Sequence, residues 1–215
     1  SVTLQHLLIG EVWLCAGQSN MVMPLNGFDY CPISDSNNVI ADAPNHPGIR
    51  MVTIKPTVKL SPQEYAEGSW QQPTTENAPK FSAAAYHYAL TLQRTLQIPI
   101  GVITCAWGGS RVEGWLPKEI LQTYKDEDLT LIGSDKTPVY LQSMLMYNGI
   151  LYPCHKYTIK GFIWYQGESN VRSSRTYAER LATMVKHWRS IWKQGDLPFY
   201  YVETVPFACE YKEDG

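Results

Sequence analysis

Three short stretches of this 215-residue chain combine residue types that can do chemistry on an acyl carbon. Gly17-Gln18-Ser19-Asn20-Met21 offers a hydroxyl in a tight turn opened by glycine. It is not the G-x-S-x-G elbow, because Met21 stands where the second glycine belongs. Trp107-Gly108-Gly109-Ser110 offers two consecutive glycines, whose backbone N–H groups can approach a ligand with no Cβ in the way. Gln166-Gly167-Glu168-Ser169-Asn170 offers an amide, a carboxylate and a second amide directly after an apolar run. Alone, each has an ordinary explanation: a capping serine, a plain turn, a helix N-cap at Ser169 or Asn170. Together they supply a nucleophile, oxyanion donors and a carboxylate, the parts for nucleophilic attack on an acyl group.

Those parts cooperate only if the fold brings them to one place. Five apolar, β-branched or aromatic runs read as strands: residues 11–16, 49–54, 100–106, 159–165 and 199–204. Most lack clean alternation, as expected of a parallel sheet covered on both faces. Residues 176–192 carry Tyr177, Leu181, Met184, Val185, Trp188, Ile191 and Trp192 on one helical face, with Gly195 as a stop. Residues 81–96 carry Phe81, Ala85, Tyr88, Leu92 and Leu96 on another stripe, and 143–151 read as a shorter helix. The Pro/Asn/Asp-rich stretch 24–47 reads as an irregular insertion over the sheet.

Strands alternating with helices imply an α/β fold with a doubly wound parallel sheet, in the flavodoxin-like order 2-1-3-4-5. Ligands in such sheets bind at the carboxyl ends of the strands near the switch point, here between strands one and three. All three stretches follow strands, so all three are expected on that edge.

Composition narrows the partners. The net charge is -2 and no Lys/Arg-rich run occurs, which argues against nucleic acid and anionic membranes. The longest apolar stretch, 98–107, is far short of the roughly 20 residues of a membrane span. The five cysteines lack metal-type spacing. Cys15 and Cys105 read as buried thiols, while Cys31 could pair with Cys154 or Cys209. Trp13 and Trp164 read as core, whereas Trp107 and Trp115, flanking the glycine pair, suit either core or sugar stacking. Arg111 suits an acidic sugar's carboxylate or an ion pair with Glu113. The acidic run Asp126-Glu127-Asp128 reads as a solvated loop.

The stretch Gly10–Met21, Ala106–Ser110 with Glu113 and Trp115, and Trp164–Asn170 resemble the sialate O-acetylesterase group of the SGNH hydrolases. Tyr147-Asn148-Gly149-Ile150 and Thr158–Trp164 extend the resemblance, which spans roughly residues 9 to 205. It is similar, more distantly, to acetyl xylan esterases. The resemblance implies a three-layer α/β/α, flavodoxin-like fold, no metal and no organic cofactor, and an O-acetylated carbohydrate as partner. It implies that Ser19 is the nucleophile and that its own N–H forms part of the oxyanion hole. Gly108 or Gly109 would give a second donor, and Gln166 or Asn170 a carboxamide donor. Glu168 would orient the catalytic histidine or support its loop. Independently of the resemblance, Trp107 and Arg111 are the candidate substrate contacts by their chemistry, beside the core and ion-pair alternatives. Sialic acid is the first expected sugar and acetylated xylan the second, with a non-catalytic carbohydrate-binding module as the alternative. A secreted or periplasmic setting is implied as well.

The resembled family places its base histidine late in the domain, commonly three residues after an aspartate. No Asp-x-x-His occurs here, and none of the five histidines follows a strand at the carboxyl edge. The expectation is therefore one domain over residues 1–215, incomplete at its C-terminus and lacking its base.

Overall fold

The computed structural model of the chain describes residues 7–205. Strands β1 (Glu11–Gly17), β2 (Ile49–Thr53), β3 (Ile100–Ala106), β4 (Gly161–Tyr165) and β5 (Phe199–Tyr201) form one parallel sheet. Side chains of β1 alternate between two cores because successive Cβ atoms point to opposite faces. Leu14 and Ala16 join Ile103, Cys105, Phe162 and Trp164 on one face, beneath Met184, Trp188 and Trp192 of the helix Ser174–Trp192. Trp13 and Cys15 join Ile49, Met51, Val102 and Ile163 on the other, against Ala85, Tyr86 and Ala89 of the helix Ala83–Leu96. The result is the expected three-layer α/β/α arrangement.

The strand order is β2-β3-β1-β4-β5, which corrects the expected 2-1-3-4-5: β1 lies between β3 and β4. Two features permit this. The connections 18–48 and 107–160 are both long enough to pass a neighbouring strand. The β1–β4 seam is also fitted by glycines. A Cβ on Gly17 would lie 2.1 Å from the Tyr165 carbonyl oxygen, and one on Gly161 would lie 2.6 Å from the Trp13 ring.

The helices are α1 (Ser19–Val22), α2 (Ser36–Asp42), α3 (Ala83–Leu96), α4 (Lys118–Leu121) and α5 (Ser174–Trp192). The insertion 24–47 is thus not wholly irregular, since it holds α2. Ser82 caps α3 by accepting from the Ala85 N–H. Of the expected stripe, Phe81 and Ala85 are buried and Tyr88 and Leu92 pack against the same core, which Ala83, Tyr86 and Ala89 extend; only Leu96 departs from it, being exposed. The expected helix 143–151 is instead wound as a wide π-type turn at Tyr147–Leu151, where the Thr57 carbonyl oxygen occupies the place of a Cβ on Gly149. Cys31 and Cys154 are both free thiols, one exposed and one buried, so they are not paired; Cys209 lies outside the described residues.

Candidate active site

Gly17 pairs with Ala106 on one side and Tyr165 on the other, so β3, β1 and β4 end level at one edge. The three motifs therefore emerge side by side. The Gln18 N–H donates to the Tyr165 carbonyl and the Trp107 N–H to the Gly17 carbonyl, both at 3.0 Å, which locks the three exits together. Ser19 then opens α1. Its hydroxyl and its N–H have no hydrogen-bond partner among the described residues.

Gly108 faces this serine. A Cβ placed on it would meet only the Ser19 Cβ, at 3.9 Å. The Gly108 and Gly109 N–H groups are likewise without acceptors among the described residues. Gly109 has a different task. The Ser110 N–H closes a turn onto the Trp107 carbonyl at 3.2 Å, and Gly109 takes the left-handed position with φ +76°. The Tyr140 ring fills the place of its Cβ, 2.7 Å away.

The amides flanking Ser19 grip the loop after β4, a role absent from the sequence reading. Gln18 is buried, and its Oε1 accepts from the N–H groups of Gly167 and Ser169 at 3.3 Å each. Asn20 Nδ2 donates to Glu168 Oε1 at 2.6 Å. The second oxygen of Glu168 is buried and has no partner among the described residues. The only signal available in sequence was the amide on either side of the serine.

Gln166 and Asn170 sit beside this arrangement but face inward, where both are 2% exposed. Gln166 Nε2 donates to the Ser110 carbonyl (3.0 Å) and to Asn170 Oδ1 (2.9 Å). Asn170 Nδ2 donates to the Glu113 carboxylate (2.9 Å) and to Ser173 Oγ (3.2 Å), while its Oδ1 accepts from the Val112 N–H (2.9 Å). Each amide has two hydrogens, and all four are engaged. In this arrangement both amides hold the β3 and β4 loops in register. Tyr177 contributes, its phenol donating to Gln166 and pushed up to about 12 by burial, so it keeps its proton.

Behind the amides lies a buried ion network. Glu113 is fully buried, and Arg180, 3% exposed, donates to it at 2.5 Å and to both Asp126 oxygens at 2.6 Å. Arg180 also lies over the Tyr124 ring, 4.6 Å from its centroid. Arg111 donates to Glu127 at 2.7 Å and to the Leu141 carbonyl at 3.0 Å, and Ser143 donates to Glu127 as well. In the run Asp126-Glu127-Asp128 the two aspartates are exposed as expected, and the correction is confined to Glu127, whose side chain is buried against Arg111; Arg111 also pairs with Glu113 at 3.7 Å, the ion-pair alternative read from the sequence. Opposite charges taken out of water must pair, and these pair across long sequence distances. Trp13, Trp115 and Trp164 are core residues, whereas Trp107 is half-buried beside the glycine pair.

Three of the four described histidines are engaged elsewhere. His46 pairs with Asp42 at 2.8 Å, His155 bonds the Tyr152 carbonyl, and His187 bonds the Tyr147 hydroxyl. His87 is exposed on α3, and His6 lies outside the described residues. No group of three or more metal-ligating side chains occurs among the described residues, and no described helix is long and apolar enough to cross a membrane.

Comparison with known proteins agrees with this geometry. The family model for carbohydrate esterases, sialic acid-specific acetylesterase, matches residues 9–214. The chain is 27% identical over 204 residues to the sialate O-acetylesterases of Pongo abelii and Homo sapiens, an overlap covering 91% of this chain and 38% of each of theirs. The chain thus spans well under half the length of these relatives. Among solved structures it is similar to XAC1771, a carbohydrate acetylesterase from Xanthomonas citri, with TM-score 0.75 and 31% identity over 89% of this chain and 40% of that one. With motifs, fold and family model in agreement, the chain belongs to the sialic acid-specific acetylesterase family of carbohydrate esterases.

Proposed function

We propose that the protein containing this chain is a serine esterase that removes O-acetyl groups from carbohydrate, with O-acetylated sialic acids as first substrate and acetylated xylan as second. One observation carries the reading. The Ser19 hydroxyl stands unengaged at the sheet's carboxyl edge, beside the unengaged N–H groups of Ser19 itself and of Gly108. Ser19 Oγ bonds to the acetyl carbonyl carbon and yields its proton to a base. The two N–H groups hold the oxyanion that forms. The C–O bond to the sugar then breaks, the sugar oxygen takes the proton, and water releases acetate from the acetyl-serine. None of the four described histidines bonds to Ser19, and this reading takes the base from outside the described residues. Glu168, with one buried oxygen unpartnered, is the acceptor that would orient it.

Treating the full-length protein with a fluorophosphonate probe tests this reading. Labelling of Ser19, acetate release from O-acetylated sialosides, and loss of both in Ser19→Ala are expected. Unlabelled Ser19 in a folded, full-length protein would favour a binding module with the same fold.

A further inference from the structure

The carboxyl edge holds a cavity that the nucleophile's immediate surroundings leave unused. It encloses about 600 Å³, within the range of small-molecule sites. Its floor includes Thr104 near the end of β3, and one wall is Val22, one turn beyond Ser19 on α1. The other wall is the loop that carries Phe28 and Tyr30, and Lys80 stands at the rim. It therefore adjoins the helix bearing the nucleophile, on the side away from the β4 loop.

Two observations say what it holds. Thr104 is 3% exposed, yet its hydroxyl has no hydrogen-bond partner among the described residues. A buried hydroxyl left unpaired is costly, and Thr104 is among the residues that line the cavity. The second observation is the aromatic pair. The Phe28 and Tyr30 rings stack with centroids 5.6 Å apart and planes within 17°, and Tyr30 is 86% exposed. The loop is pre-formed: Phe28 and Cys31 exchange both backbone hydrogen bonds at 3.1 and 2.9 Å, and Gly27 turns with φ +77°. An aromatic stack and an unsatisfied hydroxyl lining one cavity match a sugar ring, which has a C–H face and a hydroxyl edge.

We propose that this cavity seats the sugar ring that carries the scissile acetyl ester, with Phe28 and Tyr30 as stacking wall and Thr104 as hydroxyl partner. This rests on the esterase reading above. In the full-length protein, Tyr30→Ala and Thr104→Val should each raise KM for an O-acetylated sialoside about three- to tenfold. Hydrolysis of 4-nitrophenyl acetate, which has no sugar ring, and fluorophosphonate labelling of Ser19 should stay unchanged. An unchanged sialoside KM, or equal losses on both substrates, would overturn the proposal. Titrating the acetylated sialoside into Ser19→Ala and following aromatic resonances by NMR tests the cavity independently of turnover. Shifts at Phe28 and Tyr30 support it, whereas shifts confined to other aromatic residues, or none, refute it. Failure of labelling with retained shifts would remove the esterase reading and leave the sugar site.

Discussion

Asn20 and Glu168, 148 positions apart in the chain, are joined by a 2.6 Å hydrogen bond that ties α1 to the loop after β4. The bond uses one carboxylate oxygen and leaves the other buried and unpartnered among the described residues. A buried carboxylate oxygen in that state can accept a further hydrogen bond, and under the esterase proposal its donor is the base.

Glu168→Gln tests that role. The amide oxygen can still accept from Asn20, but the free position becomes a donor and would repel the N–H of an incoming base. Turnover by the full-length protein should fall about 10²–10⁴-fold with little change in melting temperature. Unchanged acetate release would remove Glu168 from the mechanism.

Asn170→Ala separates holding from catalysis. The variant strands the Val112 N–H and Gln166 Nε2 and takes a donor from the buried Glu113 carboxylate. A stability loss of about 3 kcal/mol is expected from such unpaired buried groups. Denaturant titration measures it, and activity should fall in step with stability. A large drop in kcat at unchanged stability would return Asn170 to the oxyanion hole.

The two glycines should part company on substitution. Gly109→Ala forces a side chain into a left-handed backbone and against the Tyr140 ring, costing about 1–2 kcal/mol. Gly108→Ala meets only the Ser19 Cβ at ordinary contact distance, so thermal unfolding should shift little.

Cysteine labelling offers a check on burial. Cys31 is exposed, whereas Cys15, Cys105 and Cys154 are buried. Burial pushes the Cys15 thiol up to about 12, and burial beside Cys154, 3.9 Å away between sulfurs, raises Cys105. The thiolate is the reactive form, so iodoacetamide at pH 8 should modify Cys31 in the native protein. The three buried thiols should react only after unfolding, as peptide mapping would reveal.

Much of this was legible in the sequence, and the failures have physical causes. The central strands β1, β3 and β4 are buried on both faces and read as unbroken apolar runs, which fixed their positions within a residue or two. Their order was hidden, because strand composition does not say which long connection passes over a neighbour. Gln166 and Asn170 looked like free donors because partners such as Glu113 and Ser110 lie far away in sequence. Arg180 was hidden for a related reason: on a helix whose stripe is drawn by Trp and Met, a charged residue on the same face reads as exposed. Its partners, Glu113 and Asp126, become visible only once the layers are stacked.

Placing β1 between β3 and β4 also governs how the protein is made. Strand β1 is made before either of its neighbours: it pairs with residues 100–106 on one side and 161–165 on the other, so both of its edges wait for later chain. Such non-local pairing closes large loops and slows folding. Gly108 reaches Ser19 only after β3 has docked, and Glu168 reaches Asn20 only after β4 has. Until both strands dock, Ser19 stands without the surroundings that the finished sheet gives it.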